Sequence, residues 1–231
     1  MFQGNARVIK VTEGVYVARQ FSLANMAMIE GSDGIIIIDS TASSDSALKV
    51  LEAFRNITDK PIKAIILTHF HPDHISGLNS ILQSTNDHID VYSHLLTKEE
   101  LSKSLVTKQG TAKRTARQFG MLLPSTVLPD IVFTAVHPTY TYEEHLTVHI
   151  AGIKVELIHT PGETEDHTSI FLPEKNVLFP GDNLYESFPN IYPVRGEIRD
   201  VKQWISSLDH VRYLNVTYLA PSHITPVIGK E

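Results

Sequence analysis

A chain of 231 residues, with 42% hydrophobic and 20% charged side chains, suits a globular protein with a substantial core, expected to form one domain over residues 1–231. The formal net charge of -6 argues against a broad nucleic-acid or anionic-membrane surface, since phosphate binding needs clustered cations; Lys103, Lys108, Lys113, Arg114 and Arg117 form only a local basic patch. Cysteine is absent, which removes disulfides, thiolate nucleophiles and sulfur ligands. The start Met1-Phe2-Gln3-Gly4-Asn5-Ala6-Arg7 lacks signal-peptide order and no apolar run reaches membrane-spanning length, so the cytoplasm is the expected compartment, without membrane insertion.

Short strands are predicted first, over residues 7–11, 15–19, 24–30 and 34–39, punctuated by Glu13-Gly14 and Ser32-Asp33-Gly34. Ile35-Ile36-Ile37-Ile38 is apolar on both faces, as expected of a strand between two layers. Ser43-Ser44-Asp45 then caps a helix with Leu48, Leu51, Ala53, Phe54 and Ile57 at helical spacing. A strand over 63–67 and a helix over 75–82 follow. Residues 97–119 predict a longer helix with a break around Gly110. Strands return over 131–136, 146–150, 153–158, 167–172 and 177–179. A last helix over 200–214 turns Trp204, Leu208 and Val211 inward. This pattern alone supports a mixed α and β fold.

The chemistry concentrates in Thr68-His69-Phe70-His71-Pro72-Asp73-His74, directly behind the apolar run Ala64-Ile65-Ile66-Leu67. A buried strand thus delivers three imidazoles and a carboxylate to a sheet edge. These ligand types suit zinc or another borderline divalent ion. His69 and His71 can face one ion while Asp73 and His74 turn toward a second. Further ligands are available where other apolar segments end: Thr160-Pro161-Gly162-Glu163-Thr164, Gly181-Asp182-Asn183 and Pro221-Ser222-His223.

The H-x-H-x-D-H packet, with Gly77, resembles the signature of the metallo-β-lactamase fold superfamily of hydrolases. Most members carry a histidine after the glycine of the third motif, where this chain has Glu163. That glutamate, the Asp182-Asn183 pair and the stretch Phe188-Pro189-Asn190-Ile191-Tyr192-Pro193-Val194-Arg195-Gly196-Glu197-Ile198-Arg199-Asp200 are similar to the alkylsulfatase branch. Leu23-Ala24-Asn25 and Arg117-Gln118-Phe119-Gly120-Met121-Leu122-Leu123-Pro124 match it less specifically, and the likeness runs from about Ala6 to Ile228. Two departures stand out. Those sulfatases commonly carry a second glutamate where Asp182 stands, and they continue into a helical dimerisation region and a lipid-carrier-like domain that this sequence lacks.

The resemblance implies a four-layer αββα sandwich and two zinc ions per chain. It places His69, His71 and Glu163 on one metal, Asp73, His74 and His223 on the other, and Asp182 between them. Asp73 and Asp182 are the expected catalytic carboxylates. The implied activity is cleavage of alkyl sulfate esters, small anionic substrates, by a metal-activated water. The alternatives are hydrolysis of a lactone, thioester or β-lactam, or metal binding without turnover. Arg195 and Arg199 are expected on the sulfate, because a guanidinium offers a planar fork of donors to its oxygens, with Asn190 and Tyr192 as neutral donors beside them. The competing role for Arg199 is a structural ion pair with Asp200 or Glu197, and for Tyr192 simple packing. Asp39 is placed to orient a ligand histidine through its other ring nitrogen. His167 is open to a supporting or a structural role, and His159 to lining the site. His88, His94, His137, His145, His149 and His210 are expected to take no catalytic part. Phe119, Met121, Leu122 and Leu123 can form an alkyl-chain wall or plain core. The oligomeric state is open.

Overall fold

The strand at Ile35–Ile38 is buried at every position and splits its side chains between two cores. Ile36 and Ile38 join an apolar cluster between two sheets, while Ile35 and Ile37 join a second cluster under the helices. That division is what a strand apolar on both faces requires.

The computed structural model describes residues 5–118, 137–193 and 198–229. Among the described residues, one sheet contains, in spatial order, β1 (Arg7–Thr12), β2 (Val15–Arg19), β3 (Met26–Glu30), β4 (Ile35–Ile38), β5 (Ile62–Ile66), β6 (Asp90–His94) and β7 (Tyr140–Tyr142). β1 to β4 form an antiparallel meander, and β4 to β7 run parallel. The second sheet contains β8 (His145–Ile150), β9 (Ile153–His159), β10 (Thr168–Leu172), β11 (Val177–Phe179), β12 (Tyr218–Leu219) and β13 (Val227–Ile228), in the spatial order β13-β12-β11-β10-β9-β8. Among these described strands, β11 and β12 pair in parallel and the other neighbours are antiparallel.

The helices α1 (Ser44–Arg55), α2 (Pro72–Ile75), α3 (Leu78–Gln83) and α4 (Thr97–Gln118) belong to the first sheet's side of the chain. α1 and α3 supply Ala47, Val50, Leu51, Phe54, Leu78 and Ile81 to the outer cluster on that sheet, and Leu101 of α4 joins them. α5 (Val201–Arg212) closes the opposite face, where Val211 packs on Ile158, Phe171 and Leu178. Helix, sheet, sheet, helix is the αββα sandwich. No described helix is long and apolar enough to cross a membrane.

Several local expectations change in the folded chain. Ser43 does cap α1, accepting from Ser46 N at 3.2 Å, but the helix buries Ala47, Val50, Leu51 and Phe54 and leaves Leu48 exposed, while Ile57 lies past its C-cap and is exposed too. The buried stripe is set one position away from Leu48, because the sheet below selects the face. α4 runs unbroken through Gly110, at the modest propensity cost of about 1 kcal/mol that one glycine carries. Leu208 is only partly buried on α5, with Ser207 turned inward instead. β6 and β7 are strands that the sequence pattern did not indicate; β6 pairs with β5, and β7 with β6. The strand expected over 131–136 lies outside the described residues.

The helix expected over 75–82 is two short helices separated at Ser76-Gly77. A Cβ at Gly77 would lie 2.0 Å from Ser40 O and 2.5 Å from Ala47 Cβ, so the chain passes there with room only for hydrogen. Gly77→Ala should therefore destabilise the fold by about 1–3 kcal/mol, the usual cost of overpacking, read as a lower urea midpoint with unchanged slope.

Candidate metal centre

Strand directions bring the ligand-bearing segments to one rim. β4 and β5 are parallel, so Asp39 and Thr68-His69 leave the first sheet on the same side. In the second sheet β9 ends there, β10 begins there, and the parallel β11 and β12 end there. Thr168 N donates to Thr68 O at 2.8 Å and Asn25 N to Ser222 O at 2.6 Å, which joins the two sheets at this edge.

The histidine packet is organised from below by Asp39. This residue ends β4 in the left-handed region at φ 59°, which Asp tolerates better than most residues. Its buried carboxylate accepts from Thr68 N at 2.8 Å, from Thr68 Oγ1 and from His74 Nδ1 at 2.8 Å. A carboxylate only accepts, so the Thr68 hydroxyl spends its proton on Asp39 and presents its lone pair to His69 Nδ1, 3.0 Å away. Both rings are thereby turned to offer Nε2 outward. The orienting role anticipated for Asp39 is what this geometry provides.

Those nitrogens converge with carboxylates. His69 Nε2 lies 3.0 Å from His71 Nδ1 and 3.8 Å from Asp182 Oδ2. His74 Nε2 lies 3.4 Å from Asp182 Oδ2 and 3.6 Å from Asp73 Oδ2. His223 Nε2 lies 3.1 Å from Asp182 Oδ2 and 3.4 Å from Asp73 Oδ2. Two groups thus have donor atoms all within 4.8 Å of one another: His69, His71 and Asp182, and Asp73, His74 and His223. Asp182 faces both. Glu163 is buried, with Oε1 3.4 Å from His71 Nδ1.

The polar atoms fit divalent cations. His74 Nε2 and Asp182 Oδ1 are buried without a hydrogen-bond partner, a costly condition for neutral neighbours and a natural one for ligand atoms. Electrostatics agree. Burial opposes a charge on His74, yet Asp182, Asp73 and Asp39 outweigh it and push the imidazole pKa well above its ordinary value. At Asp182, too, burial alone favours the neutral acid, and His74 and His223 hold it far down as a carboxylate. His69 is pushed well down by burial and by the neighbouring His74, His71 and His167. The spot favours positive charge between carboxylates while keeping a neutral imidazole at its inner wall. Nitrogen and carboxylate oxygen are the donor types zinc accepts.

The remaining expected residues divide. The buried Arg199 donates Nη2 to Glu163 Oε1 and Nη1 to Asn190 O at 2.6 Å, and its guanidinium lies 5.7 Å from the Trp204 ring centre. Among the described residues its ion pair is with Glu163, and Glu197, one of the two partners weighed for it, lies outside those residues. Asn190 Oδ1 accepts from Gln118 Nε2 at 3.3 Å, and Tyr192 is 62% exposed. Arg195 and the apolar residues Phe119, Met121, Leu122 and Leu123 lie outside the described residues. His159 donates Nε2 to Glu165 O at 2.7 Å and stacks on His94, away from the donor groups.

His167 supports the site indirectly. Its Nε2 accepts from Asp182 N at 3.1 Å, so the proton sits on Nδ1, facing Thr160 Oγ1. Burial pushes this imidazole down to about 3, which keeps it neutral. Gly181 passes it at φ +55°, where a Cβ would come within 2.4 Å of Nε2. Tyr185 escaped the sequence reading altogether: its hydroxyl donates to Asp182 Oδ2 at 3.2 Å and its ring stacks on His223. Nothing in its spacing signals that. Asn183 accepts from Glu163 N at 2.9 Å and donates to Thr160 O at 2.6 Å, so it ties two of the turns together.

Asp166 lies in the turn between Glu163 and His167, and burial pushes its carboxyl up from 3.8 to about 7. Its ionised form is disfavoured in the folded state, so stability is lost as pH rises from 3.8 through about 7. Asp166→Asn should stabilise the fold at pH 8 by an amount on the order of a few kcal/mol, read as a higher urea midpoint, and converge with wild type near pH 4. Equal midpoints at pH 8 would contradict the buried-charge assignment.

Comparison with known proteins agrees with this architecture. The family model of the metallo-beta-lactamase superfamily matches residues 19–223. A linear primary-alkylsulfatase of Pseudomonas sp. (strain ATCC 19151) is 35% identical over 88% of this chain and 42% of its own length. An alkyl/aryl-sulfatase of Saccharomyces cerevisiae is 27% identical over 96% of this chain and 38% of its own. The solved stereoselective inverting sec-alkylsulfatase of Pseudomonas sp. superposes with a TM-score of 0.84 and 25% identity, covering 97% of this chain and 39% of that one. The chain spans less than half the length of each of these sulfatases. A metallo-beta-lactamase family protein of Thermus thermophilus, 21% identical with a TM-score of 0.69 over 94% of this chain and 76% of that one, shares the fold.

Proposed function

The chain belongs to the metallo-β-lactamase superfamily, and on that premise we propose that it is a dinuclear zinc hydrolase of alkyl sulfate esters. The observation that carries the proposal is the pair of adjoining donor groups with Asp182 facing both and the buried His74 Nε2 and Asp182 Oδ1 without hydrogen-bond partners. His69 and His71 would hold one ion with Glu163, and Asp73, His74 and His223 the other, with Asp182 shared. When bound, two such ions lower the pKa of a water toward neutrality and polarise a substrate oxyanion.

The chain's own residues supply the rest. Asp39, directly and through Thr68, fixes the tautomers of His74 and His69 so that their Nε2 lone pairs face the carboxylate cluster. His167 and Gly181 hold the Asp182 turn, and Asn183 holds the backbone of Glu163. Glu163 adds a negative charge where most members have a neutral histidine, and Arg199 meets that charge directly. A site with this much added anion gains from fixed cations near the substrate. We assign that task to Arg195, on sequence grounds, together with Arg199, with Asn190 and Tyr192 as neutral donors on the sulfate. The similarity to linear, secondary and alkyl/aryl sulfatases supports a sulfate monoester over a neutral ester.

Metal analysis of protein purified without chelator should give close to two equivalents, with ligand distances of about 2.0–2.2 Å to nitrogen and oxygen for zinc. Glu163→Ala should release one equivalent or cut activity by orders of magnitude. A variant that retained both metals and full activity would remove Glu163 from the ligand set.

The substrate assignment is tested by a zinc-supplemented screen of alkyl sulfates of several chain lengths against phosphate, lactone, thioester and β-lactam substrates. Sulfate esters should be preferred. Arg195→Ala should lower sulfatase turnover by roughly a hundred- to a thousand-fold, the usual loss on removing one contact to developing charge, with both metals retained. Its effect on any neutral ester should be far smaller. An equal loss on both would make Arg195 structural, and a wild type inert toward every sulfate ester would leave only the metallohydrolase.

A further inference from the structure

His223 is carried by a loop with no regular structure of its own, between β12 and β13, yet its Nε2 lies 3.4 Å from Asp73 Oδ2 and 3.1 Å from Asp182 Oδ2. The loop is held from the far end of the sequence. Asn25 is buried, and its Nδ2 donates to Pro221 O at 3.0 Å and to Ile224 O at 2.9 Å. Its backbone N donates to Ser222 O at 2.6 Å. Three carbonyls flanking His223 therefore converge on one residue. Two positions earlier, Leu23 O lies 3.1 Å from His223 Nδ1. A carbonyl can only accept, so that contact places a proton on Nδ1 and turns Nε2 toward the two carboxylates.

We propose that Asn25 is a positioning residue for His223: its carboxamide fixes the loop so that Leu23 O selects the tautomer and Nε2 reaches the second metal. The chemistry demands this side chain. Only a primary amide of this length presents two N–H donors to two carbonyls three residues apart while leaving its own backbone N–H for a third. An aspartate there would set a carboxylate against two carbonyl oxygens. A serine would satisfy at most one of them. The Leu23-Ala24-Asn25 segment, which no other part of the site explains, thereby gains a role across about two hundred residues of sequence. The inference rests on the proposed reading of His223 as a ligand.

The test is calorimetric titration of zinc into the chelator-treated whole chain, for wild type, His223→Ala, Asn25→Asp and Asn25→Ser. Wild type should take two equivalents, and His223→Ala should lose one of them. Asn25→Asp should weaken that same equivalent by about 10–100-fold, the usual effect of removing a group that orients a ligand, while the other keeps its affinity. Asn25→Ser should lie between. Wild-type affinity at both equivalents in Asn25→Asp would overturn the proposal, with the metal reading intact. Equal weakening of both would overturn it too, by making Asn25 a general structural residue, as would loss of folding in both Asn25 variants by circular dichroism. If His223→Ala kept both equivalents, the ligand reading itself would fail, independently of Asn25.

Discussion

Everything at the rim depends on the carboxylate of Asp39. It lies beneath the histidine packet and touches both arms of it, accepting from Thr68 and from His74 Nδ1. Through the Thr68 hydroxyl its influence reaches His69 as well. One buried anion thus decides which nitrogen of two rings faces the cluster. Its backbone bears a cost for this, since Asp39 and Thr41 both sit at positive φ at the end of β4. Such positions persist only where the surroundings over-determine them. Here the surroundings are β5 on one side, through the Asp39 N to Ile66 O bond, and α2 on the other, through Ser40 N and His74 O.

The second constraint is charge. Asp182, Asp73, Glu163 and Asp39 lie close together in a region largely shielded from water, and at Asp182 burial alone would favour the protonated acid. The histidines resist that outcome, and Arg199 meets the charge of Glu163 directly. The balance makes the centre a place where added positive charge is favoured. Arg199 also lies over Trp204, whose indole N–H donates to Asn183 O at 3.2 Å, so α5 braces the Glu163 turn through packing and charge together. A Cβ at Gly162 would lie 2.7 Å from both Asn183 Oδ1 and the Trp204 ring, which shows how closely that bracing is drawn.

Much of this was legible in the order of residues. The apolar strands identify themselves because Ile35–Ile38 and the run ending at Leu67 must be buried on both faces, and alternation or continuity of apolar side chains is a local property. The histidine packet is equally local: its candidate ligands follow one another directly behind a strand, so no distant contact is needed to see them. Asp182 and His223 are visible for the same reason, each at the end of a short apolar run, and Asp39 because it closes β4.

What only the tertiary structure decided concerns faces and partners. Leu48 has the right spacing for the core, yet the sheet beneath α1 chose Ala47 and Val50, because a helix can rotate its buried stripe at little local cost. Two short helices replace one over 75–82 because Ser40 approaches Gly77 from another strand's end, a collision that no periodicity records. Arg199 meets Glu163 across 36 positions, Tyr185 meets His223 across 38, and Asn25 meets the His223 loop across nearly two hundred. Residue type alone offers each of these side chains several equivalent partners. The sequence by itself determined which candidate ligands exist and on which strand ends they stand; the packing of two sheets determined which of them meet, because a hydrogen bond or ion pair specifies its partner only through distance and direction.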